Sequence, residues 1–185
     1  EQDLARRDFT IHAMARRIGP TGRLGGLLDL YGGRADLEKK KMRLLHEASL
    51  ADDPTRAIRA ARYAARLGFQ IEGSFPERLA AARSTGAFRS ISGDRLRRAL
   101  EELLHEARFP EAVASLVRHG VLDAIVGGWG GGAPGRAELA ALPKEIGMEE
   151  KWTRLLAGAP PELRRSVAAR LNFSHKLRRL TEGPA

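Results

Sequence analysis

Apolar and polar positions divide the chain into a short β-prone opening and a long helical remainder. Phe9-Thr10-Ile11 is β-prone and Ala13-Met14-Ala15 follows it. Gly19-Pro20-Thr21-Gly22 is a turn, and the apolar run from Leu24 to Leu30 is broken by Gly25-Gly26. This pattern predicts two short strands around a turn, closed by Gly32-Gly33. From Asp36 the spacing becomes helical. A short charged segment, Asp36 to Leu45, precedes the clearest helix, which Asp53-Pro54 opens and Gly68 stops after Leu67. Further helices are predicted for Phe75 to Arg83, from Ser92 or Gly93 to about Ala107, and from Pro110 to His119 before Gly120. The run GGWGGGAPG from Gly127 to Gly135 reads as a linker or loop. It is no phosphate cradle, since no strand precedes it and no lysine follows. Two or three short helices are expected over 136–182. The fold class is α+β, mostly α.

The helix opened by Asp53 has two distinct faces. At ~100° per residue, Arg56, Arg59, Arg62 and Arg66 fall in one stripe roughly 120° wide, with Asp52 on the same side. The opposite arc holds Ala57, Ile58, Ala61, Ala64 and Ala65, small enough for a neighbouring helix to come close. Two readings of the stripe stand: a solvated basic face, or a wall facing a polyanion. The second follows from there being few acids on that face to offset four like charges. Asp53 also has two readings. It caps the helix, and with Arg56 one turn on it offers a carboxylate acceptor beside a guanidinium donor. Cytosine and adenine each present an amino donor next to a ring-nitrogen acceptor, so one Asp/Arg pair could read both. Guanine and uracil present the reverse. The two roles are compatible only if one oxygen caps and the other is free.

Composition sharpens the polyanion reading. The chain has 185 residues, with 32 Lys+Arg against 23 Asp+Glu, a formal net charge of +9. Such a balance favours nucleic acid or an acidic surface as partner. With no cysteine, disulfides, thiolate metal sites and cysteine nucleophiles are excluded. There is no apolar run of membrane-spanning length and no visible signal peptide, so the expectation is a cytoplasmic protein with no membrane partner. Residue 1 is Glu, which predicts that further chain precedes it.

Four segments in order carry a family resemblance. Leu4-x-Arg6-Arg7-Asp8-Phe9-Thr10-Ile11-x-Ala13-Met14-Ala15 resembles the RRDFTINAMA segment of class II tRNA nucleotidyltransferases, the CCA-adding enzymes and their bacterial poly(A) polymerase relatives. Asp29-Leu30-Tyr31-Gly32-Gly33-x-x-Asp36-Leu37 resembles their D-x-x-GG-x-x-DL segment. Asp52 to Phe69 resembles their EDP-x-R-x-x-RAARFAARLGF neck motif. Ile91-Ser92-Gly93-Asp94-Arg95-Leu96 resembles their S-x-ERI stretch.

The resemblance implies the end of a nucleotidyltransferase head over 1–44 and a helical neck over 45–126. The Gly-rich linker at 127–135 then leads to the start of a helical body over 136–185. It implies addition of C and A nucleotides to tRNA or other RNA 3′ ends from CTP and ATP. It implies that Asp53 and Arg56 read the incoming base and that Arg6, Arg7 and Asp8 meet phosphates and sugar. Arg59 and Arg62 belong to the nucleotide side, and Arg66 and Arg95 to the RNA side. The family's catalytic D-x-D pair, which binds Mg²⁺, lies upstream of the first motif and outside 1–185. The chain by itself is therefore expected to hold no catalytic carboxylates and no metal, and to need a preceding head segment as partner. A non-catalytic RNA-binding module, or one half of a two-chain enzyme, are the alternatives. His12 stands where the family has Asn, Asp52 and Asp94 stand where it has Glu, and Ala99 stands where it has Glu.

Other candidates follow from the residues alone. Arg164, Arg165, Arg170, Lys176, Arg178 and Arg179 outweigh Glu162 and Glu182 near the C-terminus, a cluster suited to RNA phosphates or to a plain basic surface. Lys39-Lys40-Lys41 reads as a solvated face. His12, His46, His105, His119 and His175 have no ligand spacing. Trp129 and Trp152 are expected to pack in the core.

Overall fold

The computed structural model describes residues 2–143 and 145–182. Its opening holds the only extended hairpin among them. Strand β1 (Met14–Ile18) runs antiparallel to β2 (Leu24–Asp29), with Met14 opposite Asp29 and Ile18 opposite Leu24. The hairpin covers a small cluster of Leu4, Ala13 and Leu45. Its far end stays open, with Ile18 70% and Leu24 61% exposed.

Helices follow. α1 (Gly33–Glu38) leads to a two-residue strand β3 (Lys41–Met42), α2 (Ser49–Asp52) and the long α3 (Thr55–Leu67). β4 (Gln70–Ile71) returns to pair in parallel with β3. Then come α4 (Phe75–Ser84), α5 (Ala87–Ser90), α6 (Gly93–Leu104) and α7 (Phe109–Arg118). α8 (Val121–Ile125), α9 (Trp129–Gly132), α10 (Arg136–Ala140), α11 (Met148–Leu156), α12 (Pro161–Arg170) and α13 (His175–Glu182) complete the described chain.

The two faces of α3 decide its packing. Ala57, Ile58, Ala60, Ala61 and Ala64 are buried, and their small side chains let α6 and α7 lie close. Gly68 ends the helix at φ +68°, a left-handed turn that a Cβ would strain. α6 opens at Ser92, whose Oγ accepts the Arg95 N–H at 3.3 Å. One hydrophobic core runs from Phe9 to Leu177 and includes Trp129 and Trp152, both fully buried.

The structure corrects four expectations. Residues Thr10–His12 form a 3-10 turn, not an extended segment, because Thr10 Oγ1 donates to buried Asp36 Oδ2 (2.6 Å) and Thr10 N to Arg43 O (3.1 Å). The charged segment 36–45 is not one helix: α1 ends before Lys40, whose φ of +52° turns the chain into β3. The run 127–135 is no free linker. Trp129 anchors it in the core, Gly130 N donates to Asp123 Oδ1 (2.9 Å), and a Cβ on Gly130 would sit 2.6 Å from Asp123 Oδ2. The described residues of 136–182 hold four helices, not two or three.

Candidate functional site

Asp53 stands at the entry to α3 with its carboxylate divided. Oδ1 accepts the Thr55 N–H at 3.0 Å and the Thr55 hydroxyl at 2.6 Å, which is the capping role. Oδ2 pairs with Arg59 Nη2 at 3.1 Å and Arg95 Nη2 at 3.3 Å. One oxygen caps, as the dual role requires. The other is held by guanidinium groups, not empty. Burial pushes the Asp53 carboxyl up, but the two Thr55 hydrogen bonds with Arg59 and Arg95 outweigh it, so its net direction is down.

Asp8 joins the opening segment to α3. Its Oδ1 accepts from Arg56 Nε at 2.9 Å and from Arg59 Nη2 at 3.0 Å, across 48 and 51 positions of sequence. Arg56 also donates from Nη1 to Ser49 O (3.1 Å) and from Nη2 to Arg6 O (3.3 Å). Its side chain is only 11% exposed. Three of its five N–H groups are thereby used, and one on each terminal nitrogen stays available. The cluster sets Arg56, Arg59 and Arg95 against Asp8 and Asp53, a surplus of one positive charge. Arg6 and Arg7 lie exposed beside it, with Arg7 paired to Asp3 at 2.5 Å. Arg59 Nε is buried without a partner.

The other half of the arginine stripe differs from expectation. Arg62 Nε donates to Glu106 Oε1 at 2.8 Å and its Nη1 pairs with Glu102. Arg66 Nε donates to Glu106 Oε2 at 3.0 Å and its Nη2 reaches Oε1. Both guanidinium carbons also lie 5.3 Å from the Tyr63 ring centroid. The offsetting acids come from the end of α6 and the turn after it, so the stripe is not short of negative charge. Arg66's guanidinium holds the Glu106 carboxyl below its usual range, against the upward push of burial.

The basic residues near the C-terminus divide likewise. Arg164 donates to the carbonyls of Ala159 (2.7 Å) and Ala157 (2.8 Å), and Arg178 to Phe173 O (3.2 Å). These two close helix ends. Arg170 binds Phe88 O and Ile91 O. Lys176 pairs with Glu149 at 2.8 Å and Arg165 with Glu162 at 3.3 Å. Arg179 stays exposed.

Several partners were invisible in the sequence. Thr55 and Ser49 had no signal beyond being polar residues near a helix start, and Glu102 and Glu106 lie about forty positions from the arginines they hold. His12 packs edge-on to Phe9 and Tyr63 at 5.6 and 5.1 Å, and burial lowers its pKa. Among the described residues no three His, Asp or Glu side chains converge as metal ligands. No described helix is long and apolar enough to cross a membrane. Chemically, the arrangement at Asp53 offers an anionic acceptor and guanidinium donors in one half-buried corner, with further arginines outside. It suits a small ligand that carries both a hydrogen-bonding edge and negative charge.

The chain is similar to known proteins over most of its length. Residues 1–43 match the poly A polymerase head domain. An A-adding tRNA nucleotidyltransferase of Aquifex aeolicus is 36% identical over 146 residues, 79% of this chain and 18% of that protein. The structure of a CCA-adding enzyme with CTP matches 95% of this chain and 44% of its own, at 28% identity and TM-score 0.76. The Thermotoga maritima CCA-adding enzyme complexed with tRNA-CCA matches 95% of this chain and 45% of its own, at 29% identity and TM-score 0.73. The chain spans less than half the length of each.

Proposed function

We propose, since the chain belongs to the family of tRNA nucleotidyltransferases and poly A polymerases, that it supplies the base-reading and RNA-facing part of an enzyme adding C or A to RNA 3′ ends. The observation that carries this reading is the junction of Asp8, Asp53, Arg56 and Arg59. Residues about 50 positions apart meet in one half-buried cluster, which Arg95 makes net-positive.

In this reading CTP or ATP places its pairing edge against Asp53 Oδ2 and the unused N–H groups of Arg56. The amino group donates to the carboxylate and the ring nitrogen accepts from the guanidinium. Arg95, 59% exposed and the longer of the two ion pairs to Asp53, is the partner that yields to the base. Arg6 and Arg7 face the triphosphate from the opening segment. Asp8 holds Arg56 and Arg59 at their Nε and Nη2 atoms and so fixes the direction of the reader. Arg62 serves by anchoring α3 to Glu106. The RNA strand is met by Arg95 and by the exposed basic residues Arg165, Lys176 and Arg179, with Arg66, Arg164 and Arg178 contributing what their internal bonds leave free.

The test is equilibrium binding of ATP, CTP, GTP and UTP to the chain. ATP and CTP should bind and GTP and UTP should bind at least tenfold more weakly, the scale of one base-edge contact of ~1–3 kcal/mol. Equal binding of all four would overturn the reading.

A further inference from the structure

At the C-terminal end of α3, the end opposite Asp53, a groove of about 320 Å³ opens between α3, α7 and α10. Three arginines from two helices line it: Arg108 at the N-cap of α7, Arg118 in its last turn, and Arg136 at the start of α10. Glu111 is the one carboxylate among the lining residues. Its Oε1 is 3.7 Å from Arg108 Nη2 and 4.0 Å from Arg136 Nη1, beyond hydrogen-bond length in both cases. Arg118 is exposed and has no acid within ion-pair distance among the described residues.

This looseness contrasts with the arginine stripe of α3. Arg56, Arg59 and Arg62 each make at least one bond of 3.0 Å or less to a carboxylate from a distant element. Here three forks converge on small residues and stay largely unfilled. Arg108 Nη1 lies over the Gly68 turn, 3.6 Å from where a Cβ would stand, an ordinary van der Waals distance. The local charge is three positive against one negative.

We infer that this groove is an RNA phosphodiester site, distinct from the base reader. Planar guanidinium forks with free N–H groups match phosphate oxygens two at a time. The fifteen positions from Asp53 to Gly68 span ~20 Å of α3, so one RNA molecule can touch both. The inference rests on the RNA substrate of the proposed function. It adds a contact that none of the four sequence motifs contains.

The test uses the full chain and a fluorescein-labelled RNA hairpin with a single-stranded 3′ end. Anisotropy is read between about 50 and 200 mM salt. Arg118→Ala should make the slope of log affinity against log salt shallower by about 0.7–0.9. Arg108→Ala with Arg136→Ala should lower it further. Arg83→Ala, an exposed arginine outside the groove, should change it less than Arg118→Ala does. Circular dichroism melts confirm that each variant folds, and CTP binding should be unaltered in all of them. Wild-type RNA binding with an unchanged slope in the groove variants overturns the inference and leaves the base reader standing. An equal effect of Arg83→Ala overturns it in favour of diffuse charge. Loss of inorganic phosphate binding, seen by ³¹P NMR, without any RNA effect assigns the groove to free anions and overturns it too. Competition by poly-glutamate equal to that by RNA would point to an acidic protein instead. No binding of RNA by the native chain overturns both proposals, while CTP binding reports on the reader alone.

Discussion

The two ends of α3 carry the same arginine stripe and do different things. At the C-terminal end, Arg62 and Arg66 close on Glu106, which is 13% exposed and accepts from both. At the N-terminal end, Arg56 and Arg59 share Asp8 and Asp53 with Arg95, and one positive charge is left over. A row of arginines is therefore not in itself a binding face. What decides is whether another element brings enough carboxylates to fill the forks. Filled forks hold helices together. Underfilled forks, beside a carboxylate held in part by a mostly exposed arginine, can take a ligand.

The largest expected effect lies at the filled end. Glu106→Ala leaves Arg66 without a carboxylate and Arg62 with Glu102 alone. It should cost about 2–3 kcal/mol of unfolding free energy, below the full scale for a buried pair because Arg66 is half exposed. Denaturant melts check this, and CTP binding should survive in the folded protein. Next comes Arg56→Ala. It removes bonds to Asp8, Ser49 O and Arg6 O, so it should cost roughly 1–3 kcal/mol and abolish nucleotide binding as well. The comparison breaks if Glu106→Ala and Arg56→Ala reduce CTP binding alike.

Some of this division was legible before any coordinates. The length of α3 followed from Pro54 and Gly68, and its buried face from Ala57, Ile58, Ala61 and Ala64. The capping role of Asp53 was also legible, because a cap is a local matter of neighbouring N–H groups. The partners of Arg62 and Arg66 were not. Glu102 and Glu106 meet them only once α6 packs on α3, and no periodicity within α3 encodes that. The segment 127–135 failed for a related reason. Glycine density reads as flexibility, yet Gly130 and Gly132 are small because Asp123 and Ala159 approach closely, and Trp129 is buried beside them. Thr10–His12 read as extended because β-branched residues favour strands, whereas the bonds to Asp36 and Arg43 bend it into a turn.

Acidity offers a smaller and separable probe. The Glu106 carboxyl is held below its ordinary 4.5 by Arg66 and Arg62 despite burial. The native state then binds fewer protons than the unfolded chain in that range, so stability rises with pH there. The contribution is complete above about pH 4.5 and is lost as pH falls through the lowered folded value. Glu106→Gln should accordingly flatten the acid limb of Tm against pH. An acid limb of unchanged steepness would mean that the ion pairs at the filled end do not hold in solution.

The smallest effect on stability and the most telling one on function meet at Asp53. Asn keeps an oxygen for the Thr55 N–H, so Asp53→Asn should lose only the Arg59 and Arg95 pairs, about 1 kcal/mol or less. Its amide would turn a donor toward the base, favouring a carbonyl. The direct test is the affinity of Asp53→Asn for ATP, CTP, GTP and UTP beside that of the native chain. A preference for ATP and CTP that collapses or shifts toward GTP and UTP, with the fold intact, is the predicted result. A preference unaltered across all four would leave Asp53 a helix cap and contradict the account.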